Sequence, residues 1–429
     1  MSHDYYIRNL LNIKDQNITF DENGINNVKI KGKTCKVINA HLSYTPSYCD
    51  KCGILFESNN DFEKKGFDKG SFIVIPSICK MNSYIFLKKQ RFLCHHCHSS
   101  FICKSNLVNY GCFISNPTKL SIVVDLTKKR SEKDIALDNN VSPNTVERII
   151  DSYYDGQKLY KHYLPKVLSF DEFKSVKSTK GKMSFHLCDG ITGKTIDIVE
   201  DRKFNSLFKY FSYYTHKARN NVKFIVIDMY SPYIKLIKAL FPNAKIIIDK
   251  FHLTELISRS LNKTRIKIMK NDKKNYNKLK RYWKLILKSR EELDCSHWKK
   301  FKCFNRLMTE VDVVDYLVDT NTVLKNTYQI YQDLLYSFRY NNFTVLKTSL
   351  KHNYGLVSEY MITSFKTINK YLKYIKNTLK YKYHNGFVEG NNNFIKVIKR
   401  IAFGFRNFSR FKARIMICKG LISPKTKKA

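Results

Sequence analysis

The sequence predicts a multidomain α/β protein, and three observations support this fold class. Two pairs of closely spaced cysteines lie before residue 100, which suits a small metal-stabilised module. From residue 165 onward, short apolar runs alternate with helical patterns, which is typical of a mixed sheet with helices. From Ala244 to Tyr354 there is neither Gly nor Pro, and helical periodicity dominates. The chain of 429 residues has the length of about two or three domains.

The cysteine pairs predict a zinc ribbon. Two residues separate the thiols within each pair, so one tight turn can present both sulfurs to a tetrahedral ion. The ligands of this single zinc ion would be Cys49, Cys52, Cys94 and Cys97. The strand-like runs SFIVIPS and SYIFLKKQRFLC connect the pairs. The opening residues do not have the pattern of a signal peptide, so we expect zinc rather than disulfides. Nearby histidines that could replace one cysteine are His95, His96 and His98.

A helix-turn-helix is predicted after Asn116 and Pro117. Ser131 is a suitable N-cap for the helix in SEKDIALD. After the turn NNV, Ser142 caps a second helix and Pro143 occupies its first position. The residues of that helix that could contact base edges in DNA are Asn144, Thr145 and Arg148. A plain helical hairpin without a DNA-reading role is the alternative.

The next segment has the strand order of a ribonuclease H-like fold. The first predicted strand is KVLSFDEF, and an antiparallel hairpin is formed by GKMSFHLCDG and KTIDIVEDR. A helix, the strand NVKFIVID, a second helix and the strand AKIIID follow. In this order we expect the first strand and NVKFIVID to lie side by side in a mixed sheet. The stretch without Gly or Pro would then be a helical insertion into this domain.

Three carboxylates are predicted to form a metal site on this sheet. Asp171 and Asp228 lie near the ends of two strands, and Glu389 begins a basic helix in HNGFVEGNNNFIKVIKR. Carboxylates at the carboxyl ends of buried strands point into a crevice. Their hard oxygen atoms suit two Mg²⁺ or Mn²⁺ ions, which can promote in-line attack on a phosphodiester. Helix capping and turn formation are the alternative roles for these residues.

Other side chains compete for the same site. Glu172 neighbours Asp171, but adjacent residues of a strand face opposite ways, so only one of them can enter the crevice. Asp249 also ends a strand, and His252 follows it closely. In the expected strand order, that strand lies one step further from the first strand. Asp249 and His252 are therefore expected either to support the ligands or contact DNA, or to have a structural role.

The charge of the chain indicates a polyanionic partner. Lys plus Arg number 77 and Asp plus Glu number 36, which leaves a formal net charge of +41. Such an excess attracts nucleic acid most commonly, and an anionic membrane surface is the rival partner. No apolar run approaches the roughly 18 residues that a membrane-spanning helix needs. The basic residues that we expect to hold a DNA backbone after Glu389 are Lys396, Lys399, Arg400 and Arg406.

Several motifs together resemble bacterial insertion-sequence transposases of the ISL3 family. They are CDKCG with RFLCHHCHSSF, SEKDIALDNNVSPNTVERI, FDEF, VIDMYSPYIKLIKALFPNAKIIIDKFHL and VEGNNNFIKVIKRIAFGFRNFSRFKARI, within residues 45–417. The resemblance implies a zinc-binding N-terminus, a helix-turn-helix and a DDE catalytic domain of ribonuclease H-like fold. It places the acidic triad on Asp171, Asp228 and Glu389. The chain departs from the family where FKSVKSTKGK makes a longer link to the hairpin.

The resemblance also implies a reaction and partners. The enzyme would bind double-stranded DNA at terminal inverted repeats and at a target, as a homodimer or larger assembly in the bacterial cytoplasm, associated with the nucleoid. It would hydrolyse DNA at the element ends and join the freed 3′-hydroxyl to the target. One alternative is a catalytically inactive or domesticated transposase that acts as a DNA-binding regulator. Another is an RNA-processing nuclease, although side chains cannot easily read the deep, narrow major groove of RNA.

The predicted domain boundaries follow these motifs. The zinc-ribbon domain covers residues 1–115 and the helix-turn-helix covers residues 116–160. The ribonuclease H-like catalytic domain comprises residues 161–252 together with residues 384–417. The helical insertion covers residues 253–383, and a basic tail follows at residues 418–429.

Overall fold

The computed structural model describes residues 3–155, 161–352 and 355–421. The chain divides into two compact units, the first formed by Met1–Leu159, Val176–Ser178 and Phe394–Ala429, the second by Tyr160–Ser175 and Thr179–Asn393. The predicted mixed α/β class is confirmed, since sheets and helices occur in both units. Residues 422–429 of the predicted basic tail and residues 156–160 of the predicted helix-turn-helix segment lie outside the described residues.

The first unit opens with a helix and a six-stranded sheet. Their bounds are α1 His3–Leu11, β1 Ile18–Ile30, β2 Lys33–Leu42, β3 Phe62–Phe67, β4 Ser71–Ile78, β5 Met81–Cys94 and β6 Ser100–Ile102. The central strand β5 pairs parallel with β2 and antiparallel with β3, β4 and β6. Ser83, Ile85 and Leu87 of β5 are buried, because alternate side chains of a strand share one face. The two predicted strand runs between the cysteine pairs therefore form β4 and β5.

Three helices follow this sheet. Their bounds are α2 Asn116–Leu126, α3 Glu132–Asp138 and α4 Pro143–Asp155. The Ser131 hydroxyl accepts a hydrogen bond from the Asp134 amide at 3.1 Å, and the Ser142 hydroxyl accepts one from the Thr145 amide at 3.2 Å. Both predicted N-caps are thus present. Asn140 adopts a positive φ of 51° in the turn before α4, a conformation that Asn tolerates better than most residues.

The second unit contains a five-stranded mixed sheet. The strands are β7 Val167–Lys174, β8 Met183–Asp189, β9 Thr195–Val199, β10 Phe224–Ile227 and β11 Lys245–Ile248. The helices between them are α5 Phe204–Ser212, α6 His216–Asn221 and α7 Ser231–Leu240. The strand order is β11-β10-β7-β8-β9, with β10 parallel to both of its neighbours. The expected pairing of the first strand with the first strand after the helix is therefore confirmed.

A helical region follows β11. It contains α8 Lys250–Asn271, α9 Tyr276–Arg281, α10 Trp283–Ile286, a 3₁₀ turn at Arg290–Glu292, a small hairpin of β12 Lys299–Lys300 and β13 Leu307–Met308, α11 Glu310–Val318, α12 Thr322–Arg339, α13 Phe343–Ser349 and α14 Glu359–Lys380. The Ser260 and Ser364 hydroxyls, 2.7 Å apart, join α8 to α14. Thr378 of α14 bonds to the backbone of Ile248 in β11, which fastens the helices to the sheet. Among the described residues, no helix has the length and apolar character needed to cross a membrane.

The last two helices are α15 Gly386–Ile401 and α16 Phe408–Cys418. Within the first unit, α16 shares one apolar core with α2, α3 and α4, which includes Ala413, Met416, Ile417, Ile122, Val146 and Ile150. The guanidinium of the buried Arg414 donates to the backbone oxygen of Leu126 at the end of α2 and to those of Lys128 and Arg130 in the link to α3. The sequence did not predict that the C-terminal helix completes the cluster formed by the predicted helix-turn-helix.

Candidate active site and metal centres

Two of the predicted carboxylates lie at the same level of the sheet in the second unit. The parallel pairing of β7 with β10 places Ser169 opposite Val226. Asp171 and Asp228 each follow two residues later, so both lie beyond this ladder and on one face. Neighbouring strands are about 4.8 Å apart. Burial and the charge of Asp228 raise the pKa of Asp171 to about 7. The sheet therefore brings Asp171 and Asp228 together, although β7 itself continues to Lys174.

A third aspartate, Asp249, lies at the same edge of the sheet as Asp171 and Asp228. The pairing of β10 with β11 places Ile227 opposite Ile248, so Asp249 is the register neighbour of Asp228 on the side away from Asp171. His252 in α8 places Nε2 2.9 Å from Asp228 Oδ1. Asp228, Asp249 and His252 offer ligand atoms within 4.8 Å of one another. The contact with Asp228 raises the pKa of His252 to about 9, and burial raises that of Asp249.

Asp171 is held by an amide that the sequence did not reveal. Nδ2 of the buried Asn392 donates to Asp171 Oδ2 at 2.6 Å. Asn392 Oδ1 lies 2.9 Å from His186 Nδ1, and His186 Nε2 lies 3.0 Å from the Thr195 hydroxyl. Because an ionised carboxylate only accepts hydrogen bonds, the amide nitrogen faces Asp171 and His186 Nδ1 carries the proton that Asn392 accepts. This buried chain orients the Asp171 carboxylate.

Glu172 has a different environment from Asp171. Its carboxylate forms an ion pair with Arg202 and accepts a hydrogen bond of 2.8 Å from the Tyr233 hydroxyl. The alternation of side chains along β7 accounts for this separation. Glu172 nevertheless lines a cavity of about 260 Å³ that also borders Asp228 and His252. Asp171 is therefore the residue linked to Asn392, and Glu172 is neutralised by Arg202.

Glu389 does not join the aspartates through any ion pair or side-chain hydrogen bond of the described residues. It is exposed in the first turn of α15. However, Asn392 follows it by three residues, and residues three apart on a helix are neighbours on one face, with Cβ atoms about 5–6 Å apart. Glu389 therefore lies one helical turn from the amide that contacts Asp171. The spacing of three residues between Glu389 and Asn392 is the signal from which the sequence could have indicated Asn392.

The four predicted cysteines form a cluster in the first unit. The Sγ atoms of Cys49 and Cys97 are 3.7 Å apart, those of Cys52 and Cys94 are 3.8 Å apart, and all four lie within 4.8 Å of one another. A tetrahedral zinc ion with bonds of about 2.3 Å requires sulfurs separated by about 3.8 Å. Gly53, with a φ of 76°, closes the first knuckle by donating its amide to the Cys49 carbonyl at 2.9 Å. The cluster fits a zinc ribbon.

Two of the histidines beside this cluster have acidic partners. His96 Nε2 lies 3.0 Å from Asp61, and His95 Nε2 lies 3.9 Å from Glu63. The clustered ligand atoms are those of the four cysteines alone, which favours the four-cysteine set over one in which His95, His96 or His98 replaces a cysteine. The backbone amide of Ser99 lowers the pKa of the Cys97 thiol to about 6, which favours the thiolate that zinc requires.

The predicted DNA-contacting residues occupy accessible positions. In α4, Val146, Ile149 and Ile150 are buried, whereas Asn144 and Arg148 are exposed and Thr145 is half-buried. The basic side chains that follow Glu389 are also accessible, with Lys396, Arg400 and Arg406 exposed and Lys399 half-buried. The apolar periodicity of α4 therefore leaves Asn144 and Arg148 open to a partner, whereas the Thr145 hydroxyl lies 3.0 Å from the hydroxyl of Ser142.

Comparison with known proteins gives one family model and two relatives whose names differ. A family model described as transposase, DDE_Tnp_ISL3, matches residues 168–415. A Bordetella parapertussis protein named transposase for insertion sequence element IS1001 is 28% identical over 203 residues, which are 46% of this chain and 48% of that protein. A Lactococcus lactis subsp. lactis protein named ATP-dependent protease is 43% identical over 113 residues, which are 26% of this chain and 36% of that protein. The matches thus span about half and about a third of the two relatives.

Proposed function

This chain belongs to the DDE transposase family of ISL3 insertion sequences, and from this premise we propose that it binds the terminal inverted repeats of its element and catalyses metal-dependent DNA cleavage and strand transfer. The observation that carries the proposal is the placement of Asp171 and Asp228 at one level of adjacent parallel strands. The formal net charge of +41 supports DNA as the substrate. The terminal repeats and the target would both be double-stranded DNA.

We interpret the two units in terms of the predicted domains. The strand order β11-β10-β7-β8-β9 supports a ribonuclease H-like catalytic domain, and the long run of helices after β11 supports the helical insertion. The capped pair α3 and α4 supports a helix-turn-helix in which Asn144, Thr145 and Arg148 read the repeat. The cysteine cluster supports one zinc ion per chain. Because strand transfer joins two element ends, we propose a homodimer or larger assembly on DNA.

The carboxylates suit divalent cations. Oδ1 of Asp228 is buried and His252 Nε2 is the one cation within 4 Å of it among the described residues, so this carboxylate oxygen retains acceptor capacity for a metal ion. The raised pKa of Asp171 reflects burial and repulsion from Asp228, which a cation would relieve. Asp171, Asp228 and Glu389 would hold two Mg²⁺ or Mn²⁺ ions. Bound there, such ions would activate the attacking oxygen and stabilise the leaving oxygen.

Other side chains of the protein would position the metal ligands and hold the DNA. Asn392 holds the Asp171 carboxylate, and His186 holds Asn392 in turn. The Glu389 side chain is exposed and lies one helical turn before Asn392. A change of its rotamer would move the carboxylate toward Asp171 and Asp228. The basic residues on α15 and beyond it would hold the DNA backbone through phosphate contacts. They are Lys396, Lys399, Arg400 and Arg406.

Cleavage of a labelled duplex that carries the element end, with Mg²⁺ present, tests the proposal. We expect Asp228→Ala and Glu389→Ala to abolish cleavage while the affinity for the duplex stays nearly unchanged, because the two activities use different residues. The matched control is Asp249→Ala, which removes the register neighbour of Asp228 and should leave measurable cleavage. An inactive Asp249→Ala beside an active Asp228→Ala would move the second ligand to Asp249. Binding without cleavage by the unaltered protein would instead indicate a DNA-binding regulator.

A further inference from the structure

Phe403 combines two unfavourable features. Its side chain is 98% exposed, the highest value among the large apolar side chains of the described residues. Its φ is 52°, in the left-handed region that favours glycine. The Phe403 amide donates to the Arg400 carbonyl and the Gly404 amide donates to the Lys399 carbonyl, both at 2.9 Å. These two bonds end α15 in a Schellman-type turn with Phe at the position where Gly is most common. Strain of this kind, observed in a structure, is a reason to look for a function.

Phe403 lies on the rim of a groove in the first unit. The groove has a volume of about 1010 Å³. One wall belongs to the start of α3 and α4 and includes Asn144, a predicted base-contacting residue. The other wall is the segment 401–407, which contains Phe403 and Arg406. The groove therefore connects the predicted reading helix with the exposed ring.

The walls of this groove are mainly cationic. Within the described part of the chain, Lys129, Lys133 and Arg406 make no ion pair. Arg130 and Arg410 also line the groove, and each is neutralised by carboxylates. Three acidic side chains line the groove as well, and the negative charge of each is offset or engaged by its own surroundings. Asp134 accepts from Ser131, Glu147 pairs with Arg410, and burial raises the pKa of Glu132.

The segment that carries Phe403 is anchored before the ring by the hydrogen bonds that end α15 and after it by two side-chain contacts. The Phe405 ring packs against the Phe411 ring with a centroid distance of 5.0 Å. The Asn407 side chain accepts a hydrogen bond from the Arg410 amide and so caps α16. Phe403 is thus presented to solvent by a fastened turn. A fixed aromatic face between cations matches the way proteins bind unpaired nucleotides, through ring stacking and phosphate contacts.

We propose that this groove binds a DNA strand and that Phe403 stacks on an unpaired base at the end of a duplex. A base inside a duplex is already stacked on both faces, whereas a terminal unpaired base has a free face for the ring. Lys129, Lys133 and Arg406 would contact the adjoining phosphates. This inference rests on the proposed function, because it takes DNA as the ligand.

Binding of the full-length protein to two fluorescent probes tests the inference. One probe is a short duplex of arbitrary sequence with a single-stranded overhang that contains 2-aminopurine, and the other is the same duplex with blunt ends. We expect tighter binding of the overhang probe and quenching of 2-aminopurine when the ring stacks on it. Phe403→Ala should weaken overhang binding by about fivefold to a hundredfold, abolish the quenching and leave blunt-duplex binding unchanged. Phe403→Trp should restore both signals.

Two further variants separate stacking from folding. Phe403→Gly relieves the left-handed conformation, so it should raise the thermal unfolding temperature yet lose the quenching. Tyr110→Ala removes a side chain that is 94% exposed and does not line the groove, so it should change neither binding nor quenching. Equal affinity of Phe403→Ala and the unaltered protein for the overhang would overturn the inference, as would an equal loss on both probes. If the unaltered protein binds neither probe, the inference fails, whereas the proposed function is judged separately by cleavage of the duplex that carries the element end.

Discussion

Replacement of Asp171 by Asn should stabilise the metal-free protein at alkaline pH. The pKa of Asp171 rises from 3.8 to about 7, through burial first and the charge of Asp228 second. Each tenfold change in proton affinity corresponds to about 1.4 kcal/mol, so ionised Asp171 destabilises the fold by at most about 4 kcal/mol. Because the folded-state pKa is the higher one, the stabilisation from the bound proton is complete below about pH 3.8 and is lost as the pH rises through 7.

The substitution also has a cost that lowers the expected gain. The oxygen of the new amide can still accept from Asn392 Nδ2, which is 2.6 Å from Asp171 Oδ2. The amide of Glu172, which donates to Asp171 Oδ1 at 2.7 Å, then loses its acceptor, at about 0.5–1.5 kcal/mol. We therefore expect Asp171→Asn to gain about 2–3 kcal/mol at pH 8 and to be slightly less stable than the unaltered protein near pH 4.

Urea unfolding in the presence of a chelator measures this difference at several pH values. The matched control is Glu172→Gln, which removes the adjacent carboxylate from its ion pair with Arg202 and should destabilise the fold at neutral and alkaline pH. Added Mg²⁺ should stabilise the unaltered protein more than Asp171→Asn, because only the former has the repelling pair. An Asp171→Asn protein that is less stable at every pH would refute the argument that burial and the charge of Asp228 together make ionised Asp171 unfavourable.

Three other predictions concern the first unit. Purified protein should contain about one zinc ion; Cys94→Ser should lose it, and Cys103→Ser, which removes a buried thiol outside the cluster, should retain it in metal analysis. Arg148→Ala should weaken binding to the terminal repeat by about 1–3 kcal/mol if the guanidinium contacts a base. An equal loss of affinity for random DNA in a gel-shift assay would show that Arg148 contacts only phosphate. Arg414→Met should lower stability by about 1–3 kcal/mol or more in thermal unfolding, because three backbone carbonyls lose their donor; an unchanged melting temperature would show that water replaces the guanidinium.

Much of the candidate site could be predicted because its signals are local. The spacing within each cysteine pair predicted a cluster in which the Cys49 and Cys97 sulfurs are 3.7 Å apart. A strand ending in an acidic residue predicted the placement of Asp228. The strand order then brought Asp171 to the same level. These predictions succeeded because turn chemistry and side-chain alternation act over a few residues.

The tertiary structure alone decided which partners these elements meet. Asn392 bonds to Asp171 across 221 residues of sequence, and Glu172 rather than Asp171 is paired with Arg202. Arg414 joins α16 to the end of α2 across almost three hundred residues. Apolar periodicity indicates which face of a helix is buried but does not identify its neighbour, because burial is non-directional and many partners can satisfy it. The sequence by itself thus determined the cysteine cluster, the capped helices and the strands that carry the aspartates, and packing of distant segments determined how the Asp171 carboxylate is held.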